Sequence, residues 1–116
     1  MKKIYHLSTC DTTQGILKEV EAVKKGAALQ DIKTEKITPT QIDEMKKLAG
    51  SYEALFSRRA LKYRAMGLHE KQLTEKDYRK LIMEEYTFLK RPVAIVNDKI
   101  FIGNTKAVTI ALKEAL

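Results

Sequence analysis

A single cysteine, no tryptophan, two histidines, two prolines and five glycines stand in 116 residues. One cysteine closes no internal disulfide, and with two histidines it cannot complete a zinc site. A disulfide-framework miniprotein and a zinc-held module are therefore excluded. No apolar run nears the ~20 residues a membrane-spanning helix needs. The start, Met1-Lys2-Lys3-Ile4-Tyr5-His6, moves into a strand-like pattern without the long apolar stretch of a secretion signal. The expectation is a soluble, cytoplasmic protein with no membrane partner.

Hydrophobic residues make up 44% of the chain and charged residues 32%, enough for a packed core and a wet surface. That balance excludes a disordered chain and a collagen-like repeat, and the length suits one domain spanning 1–116. The net charge is +7, from 22 Lys and Arg against 15 Asp and Glu, which suits anionic partners without choosing among them. The densest basic stretch, Arg58-Arg59 through Lys62 and Arg64, contains only Tyr63 as an aromatic. With no block of five or six basic residues, solvated cations on helices explain the charge, and no direct nucleic-acid binding is expected.

Residues 2–7 read as a strand, with Ile4 and Leu7 apolar and Tyr5 β-favouring. Ser8, Thr9, Cys10, Asp11, Thr12 and Thr13 form a polar loop of cap-forming residues. Ile16, Leu17, Val20, Val23 and Ala27 then recur at helical spacing, with Gly26 after Lys24-Lys25 as the stop. Residues 28–33 are a second strand. Thr38-Pro39-Thr40-Gln41 predicts a helix start with a Thr cap, Pro at the first position and Gln at the third. Helical pieces follow at 52–56 and 60–66, and Thr74-Glu75-Lys76-Asp77 opens another helix carrying Tyr78, Leu81 and Ile82. Residues 93–96 and 99–102 pair as a hairpin across Asn97-Asp98, and Asn104 is expected to cap a last helix.

The order strand, helix, strand, several helices, hairpin, helix predicts an α/β, thioredoxin-like fold. A central mixed four-stranded sheet would carry flanking helices, with a helical insertion over about 38–86. Cys10 would then sit between the first strand and the first helix, where a reactive thiol belongs in such a fold. The alternative is a small buried hydrophobe. Pro92, just before a strand, is the candidate cis-proline facing that loop. A helix amino terminus and nearby guanidinium groups favour the thiolate, taking a cysteine from about 8.5 into the ~3.5–7.5 range.

Three stretches carry a further resemblance: Ile4-Tyr5-His6 before Cys10; Leu55-Phe56-Ser57-Arg58 with Tyr63 to Leu68; and Leu89-Lys90-Arg91-Pro92-Val93. In these, and in their spacing from end to end, the chain resembles the arsenate reductase (ArsC) family of thioredoxin-fold proteins, which also contains the Spx-type transcription regulators. The resemblance implies that Cys10 is the nucleophile of a covalent thiol–arsenate adduct, resolved by glutathione and glutaredoxin. It implies that Arg91 binds the oxyanion and that Arg58, or its neighbour Arg59, supplies a second guanidinium. His6 would modulate the thiol or serve as an ordinary strand histidine. Thr12 or Thr13 can donate to sulfur or to the bound oxyanion, or serve as caps. No metal is implied and no cofactor is held; glutathione is the co-substrate.

The chain departs from the arsenate-reducing pattern twice. Gly103-Asn104 stands where those members carry an arginine after the final strand, and Gln14 where they place a basic residue. Both changes weaken oxyanion binding and point equally to a glutathione-dependent thiol reductase that does not act on arsenate. Spx regulators carry a Cys-x-x-Cys switch, but the fourth position here is Thr13, so no disulfide forms within that loop. The expected function is a thiol-based oxidoreductase of the arsenate reductase type, leaning to an enzyme. The alternative from another class is a non-catalytic, Spx-like module that binds RNA polymerase.

Overall fold

The computed structural model describes residues 1–116, which divide into two compact units: Met1–Lys36 with Arg91–Leu116, and Ile37–Lys90. The first is built on four strands, β1 (Lys2–His6), β2 (Ala28–Asp31), β3 (Val93–Val96) and β4 (Lys99–Ile102), in the order β2-β1-β3-β4. β1 runs parallel to β2 and antiparallel to β3, and β3 antiparallel to β4. Register is set by alternation, because a one-residue slip would turn every side chain to the wrong face. Ile4 lies opposite Ala94 and Tyr5 opposite Val93. Ile4, Ala94 and Val96 form one core with Ile16 and Leu17 of α1 (Asp11–Glu19) and Leu112 of α5 (Lys106–Ala115). Tyr5, Val93 and Ile95 alternate to the opposite face and are buried as well. The mixed four-stranded sheet with flanking helices is the thioredoxin-like α/β arrangement expected from the element order.

The second unit is helical: α2 (Pro39–Ala49), α3 (Leu61–Ala65) and α4 (Glu75–Glu84), joined by short 3-10 turns. α2 begins with the capping box the sequence announces: Thr38 Oγ1 accepts from the Gln41 N–H and Gln41 Oε1 from the Thr38 N–H, at 3.1 and 3.0 Å. α4 repeats the device, Thr74 with Asp77. α2 ends at Gly50, whose φ of 95° places it in the left-handed region that glycine enters without a Cβ clash. Phe56, fully buried, packs against Phe88 with centroids 5.0 Å apart, against Tyr78 at 4.9 Å and against Tyr63 at 5.9 Å. Its backbone pairs with Leu89 in an isolated antiparallel bridge. No helix of the chain is long and apolar enough to cross a membrane.

Two local expectations are corrected. The first helix does not run on to Gly26: it ends at Glu19, and Glu21 takes a φ of 55°. The Ala22 N–H then reaches back to the Leu17 carbonyl at 3.1 Å. Val20 and Ala22 stay in the core, whereas Val23 leaves the helical stripe and is 73% exposed. The last helix is capped by Thr105, not Asn104: the Thr105 Oγ1 accepts from the Val108 N–H at 3.2 Å. Gly103, at φ 93°, turns the chain out of β4, and the cap falls on Thr105, whose backbone is extended at φ −68° and ψ 155°.

Candidate active site around Cys10

Cys10 is the N-cap residue of α1, with extended backbone (φ −100°, ψ 107°), reached directly from the end of β1. Its N–H donates to the Leu7 carbonyl at 3.0 Å and its carbonyl accepts from the Gln14 N–H at 3.0 Å, so the loop is a closed turn on both sides of the cysteine. The side chain, half-buried, therefore stands where the unsatisfied N–H groups of the first helical turn converge, a position that favours negative charge. Thr13 is fully buried, and its hydroxyl donates to the Cys10 sulfur at 3.1 Å.

Arg91 comes from the other end of the unit, two residues before β3. Its bond to the buried Pro92 is cis, as the position of Pro92 before a strand suggested. The Arg91 guanidinium acts on the same sulfur with its charge and its hydrogen-bonding groups, both favouring the thiolate. Burial, the largest single influence, pushes the Cys10 thiol up; the hydroxyl and N–H of Thr13 and the charge and hydrogen bond of Arg91 act the other way. Together they outweigh burial, so the thiol lies below the ordinary cysteine value. A lowered thiol is a better-populated nucleophile at neutral pH. The donors that stabilise the thiolate also suit a tetrahedral anion or a developing negative charge on a neighbouring sulfur.

His6, at the end of β1, is half-buried, and its Nδ1 lies 3.0 Å from Gln14 Nε2. Its register partner on β2 is Asp31, whose carboxylate accepts from the Ser8 and Lys33 N–H groups at 3.3 and 3.1 Å. Ser8 foremost, then the Lys33 N–H, hold Asp31 below the usual carboxylate range. Thr12 is exposed in the first turn of α1. Arg58 belongs to the helical unit. There its Nη2 donates to Glu53 at 2.8 Å and to the Tyr78 hydroxyl at 2.9 Å, and its guanidinium lies over the Tyr78 ring. The structure thus gathers Cys10, Thr13 and Arg91 around one sulfur, and gives Arg58 partners of its own. Gln14, noted in the sequence only for the basic residue it replaces, joins the loop through its side-chain amide. Its signal was the fourth place after the cysteine, one helical turn on, where a side chain turns back over the loop.

Sheet order, a lone cysteine at the N-cap position of the first helix and a cis-proline just before β3 define a thioredoxin-like domain. The model of the ArsC family matches residues 5–110, and the chain belongs to that family. No curated protein matches the chain. Among solved structures it is similar to an arsenate reductase from Vibrio cholerae, at 15% identity over 99% of this chain and 97% of that one, with a TM-score of 0.79. A protein from Bacteroides fragilis described as ArsC family related gives 18% identity, 96% of each chain and a TM-score of 0.80. An arsenate reductase (ArsC) related protein from Brucella melitensis gives 22% identity, 95% and 92% coverage and a TM-score of 0.73. At such identities the likeness is one of fold.

Proposed function

We propose that this protein is a thiol-based oxidoreductase whose Cys10 thiolate forms a covalent adduct with its substrate. The carrying observation is the convergence of the Thr13 hydroxyl, the Arg91 guanidinium and the start of α1 on one sulfur. With an oxyanion such as arsenate, sulfur replaces one oxygen, which leaves as water after taking up protons. With a disulfide substrate, the thiolate attacks one sulfur, the S–S bond breaks and the other sulfur leaves as a thiolate. Either adduct needs an external thiol to resolve it, because the chain has no second cysteine. Glutathione, alone or through glutaredoxin, is the class of reductant that fits. Arg91 holds the anionic part of the substrate, and Thr12 is assigned to its outer contacts.

One observation favours a disulfide substrate over arsenate. The Gln14 amide, standing where arsenate-reducing relatives place a basic side chain, is spent on His6 and the Leu7 carbonyl and brings no positive charge. The site then offers a single guanidinium of its own unit to a multiply charged oxyanion.

The test is the rate of Cys10 alkylation against pH, with and without arsenate, in the wild type, Arg91→Ala and Cys10→Ser. The expected wild-type profile has its midpoint below that of a free thiol, Arg91→Ala moves it up, and Cys10→Ser takes no label. Protection by arsenate assigns the oxyanion substrate; a lowered midpoint without protection assigns a disulfide substrate. A slow, unshifted wild-type thiol would exclude the enzyme and leave the polymerase-binding module.

A further inference from the structure

We propose that Gln14 is the positioning residue of this site: its side-chain amide clamps the loop that presents the Cys10 sulfur by bridging the His6 ring and the Leu7 carbonyl. The proposal rests on the reading of Cys10 as a working thiol. The Leu7 carbonyl takes two donors, the Cys10 N–H at 3.0 Å and Gln14 Nε2 at 3.0 Å. A carbonyl oxygen has two lone pairs, so this one is filled. The same Gln14 nitrogen lies 3.0 Å from His6 Nδ1, and an amide nitrogen has one hydrogen for each acceptor.

The orientation follows from the neighbours. Turned over, the amide would bring its oxygen against the Leu7 oxygen, two acceptors face to face. With the nitrogen there instead, His6 Nδ1 stands opposite as its acceptor. Gln14 therefore grips Cys10 from both sides. Its backbone N–H bonds the Cys10 carbonyl, and its side chain bonds the carbonyl that holds the Cys10 N–H. The sulfur has to stay 3.1 Å from the Thr13 hydroxyl and within reach of Arg91, and displacements of about 1 Å are costly in such alignments. Gln14 touches neither sulfur nor substrate in this scheme; it acts through the backbone of Leu7 and Cys10.

The experiment compares Cys10 alkylation by iodoacetamide across pH in the full-length wild type, Gln14→Met, His6→Leu and His6→Asn, with circular dichroism to identify folded variants. Methionine keeps the length of glutamine and removes both hydrogen bonds. Asparagine keeps an acceptor where Nδ1 of His6 stands, whereas leucine removes it. Gln14→Met is expected to react about fivefold more slowly at neutral pH, the factor one hydrogen bond commonly carries. Its profile should also move toward that of a free thiol. His6→Leu should shift the same way and His6→Asn should retain the wild-type profile. Superimposed profiles for Gln14→Met and a shifted wild type would overturn the role of Gln14 alone. Identical behaviour of His6→Leu and His6→Asn would do the same, and that pair decides the matter if Gln14→Met fails to fold. A wild-type thiol with an ordinary profile would instead overturn the reading of Cys10 itself.

Discussion

In the sheet unit, partners lie far apart in the chain: Lys2 stands opposite Val96, Ile4 opposite Ala94, and Arg91 beside Cys10. In the helical unit, order begins with partners three residues apart, Thr38 with Gln41 and Thr74 with Asp77. Longer reaches there are made largely by surface groups, as where Arg79 meets Asp43 at 2.9 Å, or where the Glu75 carboxylate takes the Tyr52 and Glu53 N–H groups. Exposed pairs of this kind contribute little stability. The buried apolar weight of the helical unit rests on Phe56 and Phe88 together with Ile42, Met45, Leu55, Ile82 and Leu89. The difference teaches where chemistry can be placed. Non-local pairing brings a guanidinium and a thiol from distant segments to one point and holds them rigidly. Local capping starts helices but assembles nothing that the nearby sequence lacks.

The largest break in that comparison should come from Phe56→Ala. Removing a fully buried aromatic from a close-packed cluster costs about 3–5 kcal/mol. Hydrogen exchange read separately over 37–90 and over the sheet strands would locate the loss; equal loss of protection everywhere would show that the two units unfold as one. A smaller effect is expected from Thr38→Ala, which removes one half of a capping box and costs about 1 kcal/mol. Urea denaturation should show the change, and a midpoint equal to that of the wild type would show that α2 is held by packing alone.

The smallest effect is the pH dependence of stability carried by Cys10. Its native thiol lies below the unfolded value of 9.0, so the native state releases the proton first. The contribution is complete above the unfolded value and is lost as pH falls through the native one. Wild type should therefore gain stability over Cys10→Ser as pH rises from neutral toward 9. A difference that stays flat with pH would place the sulfur outside the influence of Thr13 and Arg91.

Most of the helical unit was legible because its signals are short. A Thr, a Pro at the first position and a Gln or Asp at the third describe the start of a helix without reference to anything distant. The end of α1 was not legible: no Gly or Pro marks Glu21, and its positive φ serves to keep Val20 and Ala22 in the core. The cap of α5 fell one residue beyond the expected Asn104, on Thr105, a second cap-former beside it in the sequence.

By itself the sequence determined the order of strands and helices, the capped starts of α2 and α4, and the placing of its lone cysteine between a strand and a helix. These depend on spacing and on hydrogen bonds a few residues long. Only the tertiary structure decided that Thr13 rather than Thr12 reaches the sulfur, that the amide of Gln14 turns back to His6 and Leu7, and that Arg91 meets Cys10. The physical reason is that a charge, a hydroxyl and a thiol interact through distances of a few ångströms. For residues at opposite ends of a chain, those distances exist only once β1 and β3 have paired.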